Sequence, residues 1–184
     1  GSSISAKLVE HLIRELKETG HKLPALQYTL YQTWENWRST NPEGRGISHT
    51  DLEATGGLKD SVNKHLDSIF LNLPKAQRPI CEKIFKSLTE LSKNDEVLGR
   101  KIKVSLLSQI VLAPVDTIIE VINKFRSENQ SFILPGWETD LAADTLVEVS
   151  HESLVRLWKR LEVWSREEKE SVETYQELAR KASL

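Results

Sequence analysis

His151 stands in Ser150-His151-Glu152, between the alternating Leu146-Val147-Glu148-Val149 and a long amphipathic stretch. A strand passing into a helix at that point presents free backbone N–H groups and the positive end of a helix dipole. Such an end accepts a phosphate readily. Ser150 suits the cap of that helix, and Glu152 suits its first turn. A histidine that is merely packed or solvated has the same local sequence, so both readings stay open on this segment alone.

The remaining chemistry is mostly exclusion. The other histidines, His11, His21, His49 and His65, are scattered, and no His/Cys cluster has the spacing of a zinc site. No local Ser-His-Asp arrangement stands out. The single cysteine, Cys81, lies on the apolar helical face of Ile80-Cys81-Glu82-Lys83-Ile84-Phe85. It reads as a buried structural thiol, and alone it makes no internal disulfide. No G-x-x-x-x-G-K-[ST] occurs in the 184 residues. Without a phosphate cradle and a magnesium-binding hydroxyl, this stretch by itself is expected not to be an enzyme.

The elements that must position these residues follow from periodicity. Residues 4–19 and 25–38 read as amphipathic helices, the second opened by Pro24, whose missing N–H costs nothing in a first turn. Leu8, Val9, Leu12, Ile13 and Leu16 form the apolar stripe of the first; Leu26, Leu30, Trp34 and Trp37 form that of the second. Residues 39–46 are a loop, and Ser48 with Asp51 resembles a capping box for a short helix ending before Gly56-Gly57. Further helices are expected over 58–72 and from Pro74 onward, then a polar loop over 92–100. Residues 101–104 form a strand, 105–112 a helix capped by Ser105, and 115–128 a strongly amphipathic helix. Strands over 131–135 and 146–149 flank a polar hairpin tip, and Ser150 opens a long final helix. Helix, strand, helix, turn, helix, strand, wing, strand is the order of a winged helix. The expected class is therefore mainly α: a helical, lid-like region over 1–73, a winged-helix domain over 74–150 with a small sheet, and a connecting helix over 151–184.

Composition agrees. With 39% hydrophobic and 28% charged residues the chain can bury a core. A net charge of −2 gives no general attraction to nucleic acid or acidic membranes. No apolar run approaches the roughly 20 residues that span a bilayer, and no signal peptide opens the chain. The absence of methionine suggests an excised piece of a longer, cytoplasmic polypeptide. A DNA-reading winged helix needs cations on its second helix and wing. Here those positions carry Asp116, Glu120, Asn123, Lys124 and Glu128, with Glu138, Asp140 and Asp144 on the wing. That field opposes a phosphate backbone, so protein contacts are the expected use.

Two segments carry a resemblance: Leu23-Pro24-Ala25-Leu26-Gln27 leading to Thr33-Trp34, and Glu148-Val149-Ser150-His151-Glu152-Ser153-Leu154 with Trp158 and Leu161. With Leu52-Glu-Ala-Thr-Gly-Gly57 and Ile80-Cys-Glu-Lys-Ile-Phe85 between them, nearly the whole chain resembles the C-terminal part of a bacterial signal-transduction NTPase of the novel STAND branch. The resemblance implies a helical domain and a winged helix placed after a P-loop domain. In the related NB-ARC proteins a G-x-P motif approaches the nucleotide base. Lys22-Leu23-Pro24 is similar to it, with Lys22 in place of glycine. The same proteins carry a Met-His-Asp motif whose histidine senses the ADP phosphates. Ser150-His151-Glu152 is similar to that motif, with serine for methionine and glutamate for aspartate. His151, Pro24 and Glu152 are thus the nucleotide-sensing residues that the resemblance implies. No catalytic residue and no metal ligand is expected in the chain itself. ADP or ATP with Mg belongs to the parent protein, and the implied partners are the P-loop NTPase domain and a sensor domain of the same polypeptide. Homo-oligomerisation on activation is also implied, with no nucleic-acid and no membrane partner. A winged-helix DNA-binding regulator and a helical protein-interaction scaffold remain the competing readings.

Overall fold

The computed structural model describes residues 4–19, 23–40, 45–92, 97–127, 130–151 and 156–182. It is mainly helical with small antiparallel sheets. The chain divides within one helix into two compact units, Gly1–Leu66 and Asp67–Leu184. Among the described residues no single helix is long and apolar enough to cross a membrane.

The first unit holds α1 (Ala6–Thr19), α2 (Leu23–Thr40), α3 (His49–Thr55) and the first part of α4 (Gly57–Asn72). Leu8 and Leu12 of α1 are buried with Trp37, Ile47 and Leu52, and Leu26 and Leu30 pack against that cluster. Val9 and Ile13 of the expected stripe face outward. On α2 the buried side is Ala25, Tyr28, Thr29, Thr33 and Trp37. Trp34, expected inside, is exposed beneath the Arg38 guanidinium, 4.7 Å from its ring centroid. The reason is a buried line of hydroxyls. Thr29 Oγ1 lies 2.7 Å from Ser61 Oγ on α4, and the Thr33 hydroxyl donates to Thr29 O at 2.8 Å. These small polar side chains satisfy one another, and the helix turns that face inward.

The start of α3 follows the sequence. The Ser48 N–H donates to Asp51 Oδ2 at 2.8 Å, the reciprocal bond of a capping box. Arg45 closes over the same carboxylate, Nη1 to Oδ2 at 2.7 Å and Nη2 to Oδ1 at 2.6 Å. The fork-on-fork geometry is the strong form of an ion pair. Gly56 ends α3 at φ 101°, and Gly57 restarts the chain at φ 62°, both conformations that favour glycine.

The second unit continues with α5 (Arg78–Leu88), β1 (Thr89–Leu91), β2 (Val97–Gly99), β3 (Ile102–Lys103), α6 (Val104–Val111) and α7 (Val115–Lys124). After these come β4 (Arg126–Ser127), β5 (Gln130–Ser131), β6 (Ile133–Leu134), β7 (Leu146–Val149) and α8 (Lys159–Ala182). The order within the three-stranded sheet is β3-β7-β6, and all its pairings are antiparallel. Helices α6 and α7 meet at 106° across Leu112-Ala113-Pro114.

Several boundaries differ from expectation, each for a tertiary reason. Helix α5 begins at Arg78 rather than Pro74, because the Arg78 guanidinium turns back to donate to Leu71 O (2.7 Å) and Leu73 O (3.3 Å), carbonyls at the end of α4. Part of the expected polar loop is β2, paired with β1 and tied across the strands by Arg100 Nε to Glu90 Oε2 at 2.8 Å. Lys103, not Ser105, stands at the cap position of α6. Helix α7 stops at Lys124 because Arg126 and Ser127 pair with Ser131 and Gln130. The long final helix begins at Lys159, so Ser150 does not cap it. Residues 156–158 are held in other contacts. Arg156 Nε donates to Val97 O at 3.0 Å, and Trp158 is wholly buried.

Trp158 is the centre of this unit. Its ring meets Phe85 at 5.0 Å, Trp164 at 5.2 Å, Phe125 at 6.0 Å and Phe70 at 6.2 Å, edge-to-face or tilted. Its Nε1–H donates to Asp67 Oδ1 at 2.7 Å. Arg160 Nε reaches the same oxygen at 3.0 Å, and its guanidinium lies 4.4 Å from the Phe70 ring centroid. Cys81 is buried as expected, and burial pushes its thiol pKa up.

Two outcomes follow. Trp158→Ala is expected to cost about 3–5 kcal/mol in urea unfolding, and Trp158→Phe, which keeps a ring but loses the N–H, about 1–2 kcal/mol. The Arg45 guanidinium, with help from Ser48, holds the Asp51 carboxyl below its ordinary pKa. A folded pKa below the unfolded one means stability is present above the unfolded value, about pH 4, and is lost as pH falls through the folded value. Urea midpoints measured down to about pH 2 should therefore fall more steeply in the wild type than in Asp51→Asn.

Candidate functional site

Strand β7 is the middle strand of its sheet, so its backbone is held from both sides. Ile102 faces Val147 in register on one edge, and Ile133 faces Val149 on the other. Its side chains alternate as the sequence requires: Val147 and Val149 are buried, while Leu146 is exposed. Lys101 Nζ meets Glu148 Oε1 at 2.9 Å on the outer face. The ladder runs one bond past the strand, the Ser150 N–H donating to Phe132 O at 2.9 Å. The Ser150 hydroxyl is buried and has no hydrogen-bond partner among the described residues.

His151 is the next residue. It is exposed and outside any helix or strand, one position beyond a backbone held by the ladder. No hydrogen bond or ion pair engages it among the described residues. An imidazole so placed has a fixed base and a free head. It can donate to an anion brought to this surface, and when protonated it can add charge to that bond. Glu152 lies outside the described residues. Pro24 belongs to the first unit, where it is the second residue of α2, half-buried beside an exposed Leu23. The position fits a proline, since the first helical N–H groups have no intrahelical acceptor.

The hairpin tip between β6 and β7 is organised by a residue that periodicity assigned to a helix. Arg126 is 7% exposed. Its Nε donates to Pro135 O at 2.7 Å, Nη1 to Asn123 Oδ1 at 2.5 Å, and Nη2 to Thr139 O at 2.5 Å and to Gly136 O. Burial pulls the guanidinium pKa down from its ordinary value, and the charges of Glu138 and Asp140 oppose that pull. Arg126 is the only base between residues 126 and 149. A lone cation among acids was the sequence signal for this role. Its donors are directed at backbone carbonyls of the tip, so the tip presents Glu138, Asp140 and Asp144 without a compensating outward cation.

Residues 1–184 match the family model described as Novel STAND NTPase 1. No curated protein and no solved structure matches the chain.

Arg126→Ala should cost about 2–3 kcal/mol, the value of the charged hydrogen bonds lost to part-buried acceptors. Arg126→Lys should recover less than half of it, since an ammonium cannot fan over carbonyls spread from Pro135 to Thr139. Hydrogen exchange at the Thr139 amide, which donates to Gly136 O at 3.1 Å, checks that the loss is local to the tip.

Proposed function

The chain belongs to the novel STAND NTPase 1 family, and from that premise we propose that it is a non-catalytic regulatory module that packs on a P-loop domain of the same polypeptide and gates its ADP/ATP switch. The observation that carries the reading is His151, exposed at the end of a doubly paired strand with no partner of its own among the described residues. A phosphate sensor needs those two properties together. A rigid anchor fixes where the imidazole points, and an open valence leaves it able to bind.

The second unit is read as a winged helix. The order α5, β3, α6, α7, β6, β7 supports this, as does the 106° crossing of α6 and α7 across a three-residue turn. Its second helix and its tip serve protein contact in this proposal, because Asp116, Glu120, Glu138, Asp140 and Asp144 repel a nucleic-acid backbone. The first unit acts as a lid-like helical region, with Pro24 at the start of α2 turned to the nucleotide base. Nucleotide with Mg is bound by the P-loop domain, and this chain adds contacts to it. In the ADP state His151 donates to a phosphate oxygen and holds the assembly closed. Exchange for ATP, or a signal relayed through α8, releases that contact and permits oligomerisation. A cytoplasmic setting suits such a switch.

The test uses a polypeptide in which this chain follows its P-loop domain. His151→Ala is expected to weaken ADP retention about 10-fold or more, the equivalent of one charge-assisted hydrogen bond, and to raise basal oligomerisation in light scattering. Unchanged ADP affinity and unchanged autoinhibition would remove the sensing role. The 184-residue chain alone is expected to show no heat on titration with ADP or ATP, whereas micromolar binding there would contradict the division of labour.

A further inference from the structure

We propose that His11, His49 and Glu53 form a binding site for a zinc-class divalent ion that ties α1 to α3 within the first unit. The site is independent of the nucleotide switch and uses none of its residues.

The fold brings together two histidines that lie far apart in the chain. The rings of His11 and His49 approach to 4.4 Å between centroids, edge to face at 85°. One ligand atom from each of His11, His49 and Glu53 lies within 4.8 Å of the other two. Tetrahedral zinc holds nitrogen and oxygen ligands at about 2.0–2.1 Å, which puts them about 3.3 Å apart. The three groups thus need to close by at most about an ångström and a half, a distance that side-chain torsions cover. A backbone shift is not required, because both helices are pinned elsewhere. Leu8 and Leu12 anchor α1 in the core with Leu52 of α3, and the capping box with Arg45 fixes the start of α3.

Each histidine also has a glutamate one helical turn on. His11 Nε2 lies 3.4 Å from Glu15 Oε2 on α1, and His49 Nε2 lies 3.7 Å from Glu53 Oε1 on α3. Spacing of i and i+4 puts both members of each pair on one helix face. Water would take the fourth position. Two imidazoles and a carboxylate suit zinc, cobalt or nickel and not magnesium or calcium, which prefer oxygen alone. The side chains are accessible, His11 at 26% and His49 at 45% exposure, so an ion can enter. An opposing cation is Arg14, whose Nη2 lies 3.5 Å from His11 Nδ1. It is exposed and can swing to solvent.

The experiment titrates the whole chain with zinc alone and with cobalt alone. The wild type is expected to bind one ion per chain at micromolar concentration. Cobalt should give the visible absorption of a four-coordinate site, and zinc should raise the Tm reversibly to chelator. His11→Ala/His49→Ala should lose the cobalt bands and bind at least about 10-fold more weakly, although His21, His65 and His151 remain. Glu53→Gln, which preserves shape on an exposed turn, should weaken binding with an unchanged Tm in chelator, so the test stands even where the double variant folds poorly. Equal affinity in wild type and both variants would mean an adventitious ion only and would overturn the site, as would wild-type binding weaker than millimolar.

Discussion

The indole N–H of Trp158 has to find an acceptor inside a cluster of aromatic rings, and the only one it meets among the described residues is Asp67. That requirement orders much of the second unit. The carboxylate takes the indole proton and also Arg160, whose guanidinium then lies on Phe70. An aromatic pair is worth about 0.5–1.5 kcal/mol beyond its buried area, and Trp158 has four such neighbours. The exposed ion pairs along α8, such as Arg166–Glu162 and Lys181–Glu177, are worth about 0–1 kcal/mol each. The start of α8 is therefore set by the indole and its acceptor, and the charged helix follows from there.

The same unit uses a second buried polar group for a different end. Arg126 fastens the hairpin tip to the end of α7, donating to backbone carbonyls on the tip and to the Asn123 side-chain oxygen on α7. Backbone oxygens carry no side-chain identity, so the tip's outward residues are free to be acidic. The central strand β7 then emerges between two paired neighbours and delivers His151 to the surface. Buried polar bonds thus fix the frame, and the residue proposed to sense a phosphate is left without a partner among the described residues. In the first unit the corresponding frame is the Thr29–Ser61 hydroxyl pair and the Arg45–Asp51 fork. The His11–His49 contact sits on that frame at the surface.

Much of the local structure was legible from residue order. The strand at 146–149, the capping box at Ser48 and Asp51, the stop at Gly56 and the burial of Cys81 all follow from alternation, caps and apolar periodicity. The resemblance of the segments around Pro24 and His151 led to the family that the whole chain matches. Misreadings came where a hydrophobicity pattern was asked to settle a tertiary question. The stripe on α2 placed Trp34 inside, because tryptophan is more apolar than threonine. The structure turns Thr29 and Thr33 inward, since each hydroxyl finds a partner there. Arg126 was read as the last turn of a helix, because helical periodicity does not register backbone acceptors that lie nine to thirteen residues away.

Sequence by itself determined the class of the chain, the approximate places of most of its helices and of the strand at 146–149, the lack of a P-loop motif in the 184 residues and the identity of the residue at the end of the central strand. These depend on interactions within a few residues, where helical and strand periods, caps and turn residues act directly. Tertiary structure alone decided where the final helix begins, which α2 face is buried, what Arg126 holds, and that His11 meets His49. Each of those depends on groups separated by up to about ninety positions, as with Trp158 and Asp67. Their pairing is a property of the packed core, and no local pattern records it.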